Sequence, residues 1–162
     1  SGETLRAGVA LTASLRATSW LRFDSNLTWT RATSLETDDV VPYAPPIVAR
    51  GDVIFESVLA RYWRRELRFE GMLSTSFVGP RPLPFGEKSQ SMVLVDASAS
   101  LRFGEVEIGM SIRNLFDRRW RDGEFVYVSN FDERETEPSL VPARHFTAGY
   151  PFTISGYLAL HL

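Results

Sequence analysis

The stretch TLRAGVALTASLRATSWLRFDSNLTWT, residues 4–30, decides the fold class. Apolar side chains occupy most of its odd-numbered positions, and Thr, Ser, Asn, Arg and Asp occupy most of the even-numbered ones. A period of two is typical of a β-strand with one apolar and one polar face. The break at residues 18–20 separates two such runs, so the stretch predicts a long antiparallel hairpin.

The same alternation returns along the rest of the chain. Further strands are predicted at about Asp52–Trp63, Glu66–Val78, 93–102, 105–113 and Thr153–Leu162. The first of these is the least clearly two-faced, because Ile54 and Val58 share a face with Glu56. We therefore expect an all-β chain that forms an antiparallel up-and-down meander of about seven strands.

The connections between these strands alternate in length. Tight links fall near Thr18, Arg64 and Gly104, and long ones span residues 34–50, 79–91 and 114–150. Short turns at one end and long loops at the other are typical of a transmembrane β-barrel. Alternation alone nevertheless favours a soluble antiparallel sandwich, in which the apolar face is a core.

Three features favour the membrane over the sandwich. The predicted strands reach the roughly 9 to 11 residues that cross a bilayer at a tilt. Polar residues oppose the apolar face in every clearly two-faced strand, as the wall of a lumen requires. Aromatic residues also gather near strand ends, where an interfacial girdle would place them: Trp20, Trp29, Trp63, Phe77 and Phe103. We therefore expect a transmembrane β-barrel segment.

Composition narrows the function classes. Aromatic residues make up 12% of the 162 residues and charged residues 23%, which predicts a folded domain. The formal net charge of −2 gives no reason to expect nucleic acid as a partner. Cysteine is absent, which excludes disulfides and zinc-thiolate sites. No secretion-signal pattern and no run of roughly 18 apolar residues occurs, so any membrane insertion must use strands.

Three segments resemble the TonB-dependent receptors of bacterial outer membranes. Asn114-Leu115-Phe116-Asp117 follows a two-faced strand and is similar to the NLFD signature late in those barrels. Val41-Pro42-Tyr43-Ala44-Pro45 is similar to a segment that the family places before a strand, and Ala143-Arg144-His145-Phe146 resembles its ending. The resemblance covers nearly the whole chain, so residues 1–162 are expected to be the C-terminal part of such a barrel.

The resemblance implies a location and partners. The parent protein would lie in the bacterial outer membrane, in contact with its lipid, and would take up a scarce nutrient such as a ferric siderophore, cobalamin or a glycan. Its plug domain, its remaining strands and the TonB system would be partners of this chain. About seven strands cannot close a barrel of about 22, and no plug sequence is present. The chain also ends in Leu162, whereas such barrels usually end in an aromatic residue.

The candidate site residues fall into two groups. Lumen-lining side chains, expected to form opposite-charge pairs between adjacent strands, are Arg68, Glu70, Asp96, Arg102 and Glu107. Aromatic residues of the last loop form either a ligand-contacting surface or packing against the barrel: Trp120, Phe125, Tyr127 and Phe131. We expect Arg118, Arg119 and Arg121 to anchor the start of that loop. No motif predicts catalytic residues, a metal site or a cofactor.

Overall fold

The computed structural model describes residues 2–130 and 140–161. These residues form nine strands and one turn of 3-10 helix, Pro84–Gly86. The strands are β1 (Thr4–Arg16), β2 (Leu21–Ser34), β3 (Ile47–Tyr62), β4 (Arg65–Val78), β5 (Met92–Phe103), β6 (Val106–Arg113), β7 (Arg121–Ser129), β8 (Val141–Ala148) and β9 (Thr153–Leu160). Within this part of the chain, no helix has the length and apolar character needed to cross a membrane.

Seven of the strands form one antiparallel sheet in the order β1-β2-β3-β4-β5-β6-β9. The predicted all-β meander of seven strands is therefore confirmed. Strands β7 and β8 form a separate hairpin between β6 and β9. Within the described residues, β1 and β9 are the two edges of the sheet, and they do not pair with each other.

The two ends of the sheet differ in their connections. Residues 17–20, 63–64 and 104–105 form tight turns at one end, the short-turn end. Loops 35–46 and 79–91, together with the segment that holds the β7–β8 hairpin, lie at the other end, the long-loop end. The His161 N–H donates to the Glu105 carbonyl at 2.8 Å, so β9 also ends at the short-turn end.

The two faces of the sheet differ in chemical character, although the apolar residues Ile54, Met72 and Leu94 lie on the same side as most of the charged ones. Leu11 stands opposite Leu27, and Ile108 stands opposite Leu158. We call this side the apolar face. Arg102 stands opposite Glu107 on the other side, the polar face.

The apolar face is widely exposed to solvent. On the apolar face the exposed fraction is 59% for Leu11, 60% for Ile108 and 70% for Leu158. Charged side chains on the polar face differ widely in exposure, with Glu107 18% exposed and Arg68 66% exposed. The core face of a soluble sandwich would bury such leucines almost completely. No second layer therefore covers the apolar face within the described residues.

A β-bulge lies near the end of β3, beyond the stretch in which Ile54 and Val58 share the polar face with Glu56. The pairing with β4 shifts between Val58 and Ala60, which leaves Leu59 as the extra residue. The shift exchanges the two faces for the residues that follow. Arg61 therefore reaches the polar face, where its Nε lies 3.0 Å from a Glu66 carboxylate oxygen.

Three sequence predictions about strands are wrong. Residues 114–150 are not one long loop, since they contain the β7–β8 hairpin. The sequence does not predict this hairpin because its buried face carries the charged Glu124 and so has no continuous apolar pattern. Strand β3 begins at Ile47 rather than near Asp52, because Ile47 still pairs with Trp29. Strands β6 and β9 have 8 residues each, fewer than the 9 to 11 expected.

A glycine on the polar face lets a tyrosine ring lie flat against the sheet. A Cβ atom added at Gly109 would lie 2.4 Å from two ring carbons of Tyr157. The Tyr157 hydroxyl donates to Glu107 at 2.6 Å, so the ring cannot move without losing that bond. We predict that Gly109→Ala lowers the free energy of unfolding by about 1 to 3 kcal/mol, the usual cost of overpacking.

Denaturant unfolding in detergent micelles measures this change. Gly156→Ala is the matched control on the adjacent strand, because the nearest atom to its added Cβ lies at 3.7 Å. Equal stability of the two variants would show that the ring does not depend on the glycine.

Candidate functional site: the polar face and the long-loop end

The register places all five predicted lumen residues on the polar face, but it does not bring them together. Arg68, Glu70, Arg102 and Glu107 border one concavity of about 600 Å³ near the short-turn end. Asp96 lies toward the long-loop end, where its carboxylate accepts the Asn114 N–H at 2.8 Å. The polar face therefore has a charged cluster at one end and a structural carboxylate at the other.

The register places opposite charges across strands at one position of this set, without an ion pair between Arg102 and Glu107, since the Arg102 Nε donates to the Gly104 carbonyl. Arg102 stands opposite Glu107, but Arg68 stands opposite Arg102. The ion pair of Arg68 is instead with Glu66 of its own strand, at 2.7 Å. Like charges directly opposite each other are unfavourable unless other groups neutralise them. Glu66 supplies the neutralising charge for Arg68, which stands opposite Arg102.

Glu107 joins β6 to β9. One carboxylate oxygen accepts the Tyr157 hydroxyl at 2.6 Å, and the other lies 2.8 Å from a ring nitrogen of His161. The two bonds attach the last described residues of the chain to the polar face. Nothing in the sequence distinguishes His161 as a partner of Glu107.

The Asn114-Asp117 turn joins three segments at the long-loop end. The Asn114 side chain is 1% exposed. Its amide donates to the carbonyls of Arg118 and Tyr150 at 2.9 and 3.1 Å and accepts the Arg118 N–H at 2.9 Å. Asp117 accepts the Phe152 N–H at 3.0 Å. The turn therefore fixes the end of β6 against the residues that begin β9.

Backbone conformation restricts which residues can form this turn. The φ angles of Asn114 and Asp117 are 52° and 47°. Asn and Asp tolerate this left-handed region better than other non-glycine residues. The two polar residues of the turn, Asn114 and Asp117, thus supply both the backbone geometry and the hydrogen bonds.

A buried carboxylate connects the hairpin to loop 79–91. Glu124 of β7 is 1% exposed. It accepts the Gln90 N–H at 2.7 Å and bonds to the guanidinium groups of Arg121 at 2.9 Å and Arg144 at 3.2 Å. Arg144 also pairs with Glu87 of the same loop.

The pKa of Glu124 reflects these partners. Burial alone would raise the pKa, but the Gln90 N–H and the Arg121 and Arg144 charges outweigh it, so the pKa lies below the ordinary value of 4.5. Glu124 is therefore ionised at neutral pH. The sequence does not predict this role, since nothing in it distinguishes Glu124 from solvated acidic residues.

Two further bonds attach the neighbouring loops to the hairpin. The Tyr43 hydroxyl donates to the Val126 carbonyl at 3.3 Å, and Arg81 donates to the Asp122 carbonyl at 3.3 Å. Val126 itself is 3% exposed. The hairpin and both long loops therefore form one packed cap at the long-loop end.

The predicted aromatic residues are distributed over this cap. Trp120 packs edge-on against Tyr150, with ring centroids 5.0 Å apart. Phe125 contacts the Tyr43 ring and is 44% exposed. Tyr127 is 51% exposed and stacks on an imidazole ring. Phe131 lies outside the described residues. The three described residues do not share one pocket.

Comparison of the chain with protein-family models, with curated proteins and with solved structures gives no match. Within residues 2–130 and 140–161, no group of three His, Asp or Glu side chains has an arrangement that could hold a metal ion. The interpretation of the site therefore rests on its geometry.

Proposed function

We propose that this chain forms part of the wall and outer loops of a transmembrane β-barrel in the bacterial outer membrane, belonging to a transporter of the TonB-dependent receptor type. The wide exposure of the apolar face carries this proposal. On β6 the apolar face exposes Val106 at 45% and Ile108 at 60%, and on β9 it exposes Leu158 at 70%. Lipid is the solvent that accepts a continuous apolar face on a single sheet, and a polar lumen accepts the other face.

The height of the apolar face supports the same proposal. On β4 the face extends from Leu67 to Phe77, ten residue steps, or about 34 Å along the strand. At a tilt of about 45° this length spans about 24 Å, close to the apolar band of about 25 Å in outer-membrane barrels. Exposed rings mark the short-turn border of the face, including Trp63 at 91% exposure.

The open edges indicate the kind of partner that completes the wall. With seven antiparallel strands, β1 and β9 run in the same direction. If the sheet closed on itself, β1 and β9 would have to pair in parallel. An odd number of further strands between them would give an even total and a fully antiparallel barrel, as in bacterial outer membranes. The remaining strands of a parent receptor would supply them, and its plug domain would contact the polar face.

The long-loop end would face the outside of the cell. Longer loops of these barrels are extracellular, and their shorter turns are periplasmic. The packed cap would then be the surface that meets a scarce nutrient such as a ferric siderophore, cobalamin or a glycan, and the TonB system would act through the parent. The alternative, a soluble β-sandwich or small barrel that binds a lipid or a protein, would need a cover for the apolar face.

Detergent dependence tests the proposal against this alternative. Sedimentation of the purified chain should show a defined folded species in dodecyl maltoside and aggregation after the detergent is removed. A folded monomer in buffer without detergent would contradict the proposal, because the apolar face would then have to be covered by the chain itself.

A further inference from the structure

Two arginines at the long-loop end have no side-chain partner in the described part of the chain. Arg118 and Arg119 follow the Asn114-Asp117 turn, and both are exposed. Their neighbours along the chain are engaged, since Arg113 stacks over Tyr150 and Arg121 bonds to Glu124. The side chains of Arg118 and Arg119 form no hydrogen bond or ion pair among residues 2–130 and 140–161.

Their position relates these charges to the apolar face. Arg118 and Arg119 border a concavity of about 350 Å³ that also includes Ser91 and Val93. Val93 is the residue of the apolar face nearest the long-loop end of β5 and is 37% exposed. The arginines therefore adjoin the border where the apolar face ends.

Exposed aromatic residues lie in the same region. Phe116 is 67% exposed and precedes the arginines by two residues. Phe152, 41% exposed, bonds through its N–H to Asp117 of the same turn. Rings that sit beside cations at the edge of an apolar surface are typical of the membrane interface, where the rings meet acyl chains and the cations meet phosphates.

We propose that Arg118 and Arg119 form a binding site for the phosphate of a lipid headgroup in the leaflet at the long-loop end. This inference rests on the proposed function, because it places the apolar face in the bilayer. A guanidinium group matches the oxygens of a phosphate with paired N–H donors. The site would anchor the Asn114-Asp117 turn, and with it the hairpin, at the height of the headgroups.

Native mass spectrometry of the full chain, released from dodecyl maltoside micelles doped with phosphatidylglycerol, tests the site. The probe lipid is compared with phosphatidylcholine, whose choline group offsets the phosphate charge. We expect retained phosphatidylglycerol on the unsubstituted chain and about 25-fold weaker retention by the Arg118→Gln/Arg119→Gln variant, since a basic residue near an anionic surface contributes roughly fivefold.

The matched control is Arg64→Gln. Arg64 is an exposed arginine in the turn between β3 and β4 at the opposite end of the sheet. Its substitution should leave retention within about twofold of the unsubstituted chain. Equal loss in both variants, or equal retention of the two lipids, would overturn the site. Displacement of the lipid by millimolar inorganic phosphate would also overturn it, because the site would then bind a free anion.

Membrane insertion is measured on the same variants, by the collision of spin labels on the apolar face with oxygen. Normal insertion without selective lipid retention would contradict the lipid site alone. Absence of insertion in the unsubstituted chain would contradict the proposed function.

Discussion

Replacing Asn114 by alanine should release the turn that joins β6 to β9. The substitution removes three side-chain hydrogen bonds from a residue that is 1% exposed. It also places alanine at a φ of 52°. Unpaired buried groups cost about 1 to 3 kcal/mol each, and water can reach part of a turn, so we expect a local cost of about 3 kcal/mol, roughly a hundredfold in the opening equilibrium.

Amide hydrogen exchange of Arg118 and Phe152 in micelles measures this opening. Asn114→Gly separates the two contributions, because glycine tolerates the backbone angle but lacks the amide. Asn26→Ala is the control on the polar face, where the amide donates a single exposed bond to Thr12. Unchanged exchange in Asn114→Ala would show that the turn does not depend on its side chain.

Removing the charge of Glu124 should loosen the hairpin against loop 79–91, to which the Arg144–Glu87 ion pair and the Arg81–Asp122 hydrogen bond still attach it. Glu124→Ala leaves Arg121 and Arg144 without their shared buried carboxylate and the Gln90 N–H without its acceptor. Losing one partner of a buried ion pair costs about 3 to 5 kcal/mol. Both arginines are about 30% exposed on the side chain, so we expect about 2 kcal/mol after allowance for solvent screening.

Distances between spin labels at Lys88→Cys and Val128→Cys measure this loosening, since the chain has no other cysteine. The distribution should be narrow at pH 7 in the parent and broad in Glu124→Ala. Glu105→Ala is the control, because its ion pair with Arg65 is exposed and 4.0 Å long. Identical distributions in the parent and in Glu124→Ala would contradict the role of the carboxylate.

The same labels test the pH dependence. The folded-state pKa of Glu124 lies below its ordinary value of 4.5. The stabilisation is therefore fully present above pH 4.5 and is lost as the pH falls through the lowered value. The distribution should remain narrow at pH 5 and broaden only below the ordinary range of a glutamate.

The sequence predicts the sheet well and the cap poorly, for one physical reason. Alternation in the main strands is strong because successive side chains point to opposite faces, one of which is apolar and the other mainly polar. The hairpin does not alternate in this way, because its buried face holds both the apolar Val126 and the charged Glu124, which are 3% and 1% exposed. Its pairing depends on contacts with loop 79–91, which is distant in sequence.

Residue roles within the candidate site follow the same division. Faces are predictable from parity, so Arg68, Glu70, Asp96, Arg102 and Glu107 all fall on the polar face. Partners across the sheet depend on register, which parity does not determine. The pairing of Arg68 with Glu66 rather than with a neighbouring strand could therefore not be predicted.

Accessibility of single spin labels along β5 tests the central claim most directly. The chain is reconstituted in phospholipid bilayers, and each position from 93 to 101 except 94 carries a label in turn. We expect odd-numbered positions to collide with membrane-dissolved oxygen and positions 96, 98 and 100 with a water-soluble nickel chelate, as a lipid-facing apolar face and a hydrated polar face require. Leu94 is left unlabelled because it is only 4% exposed. Chelate access at every position, or oxygen access on the even-numbered side, would contradict it.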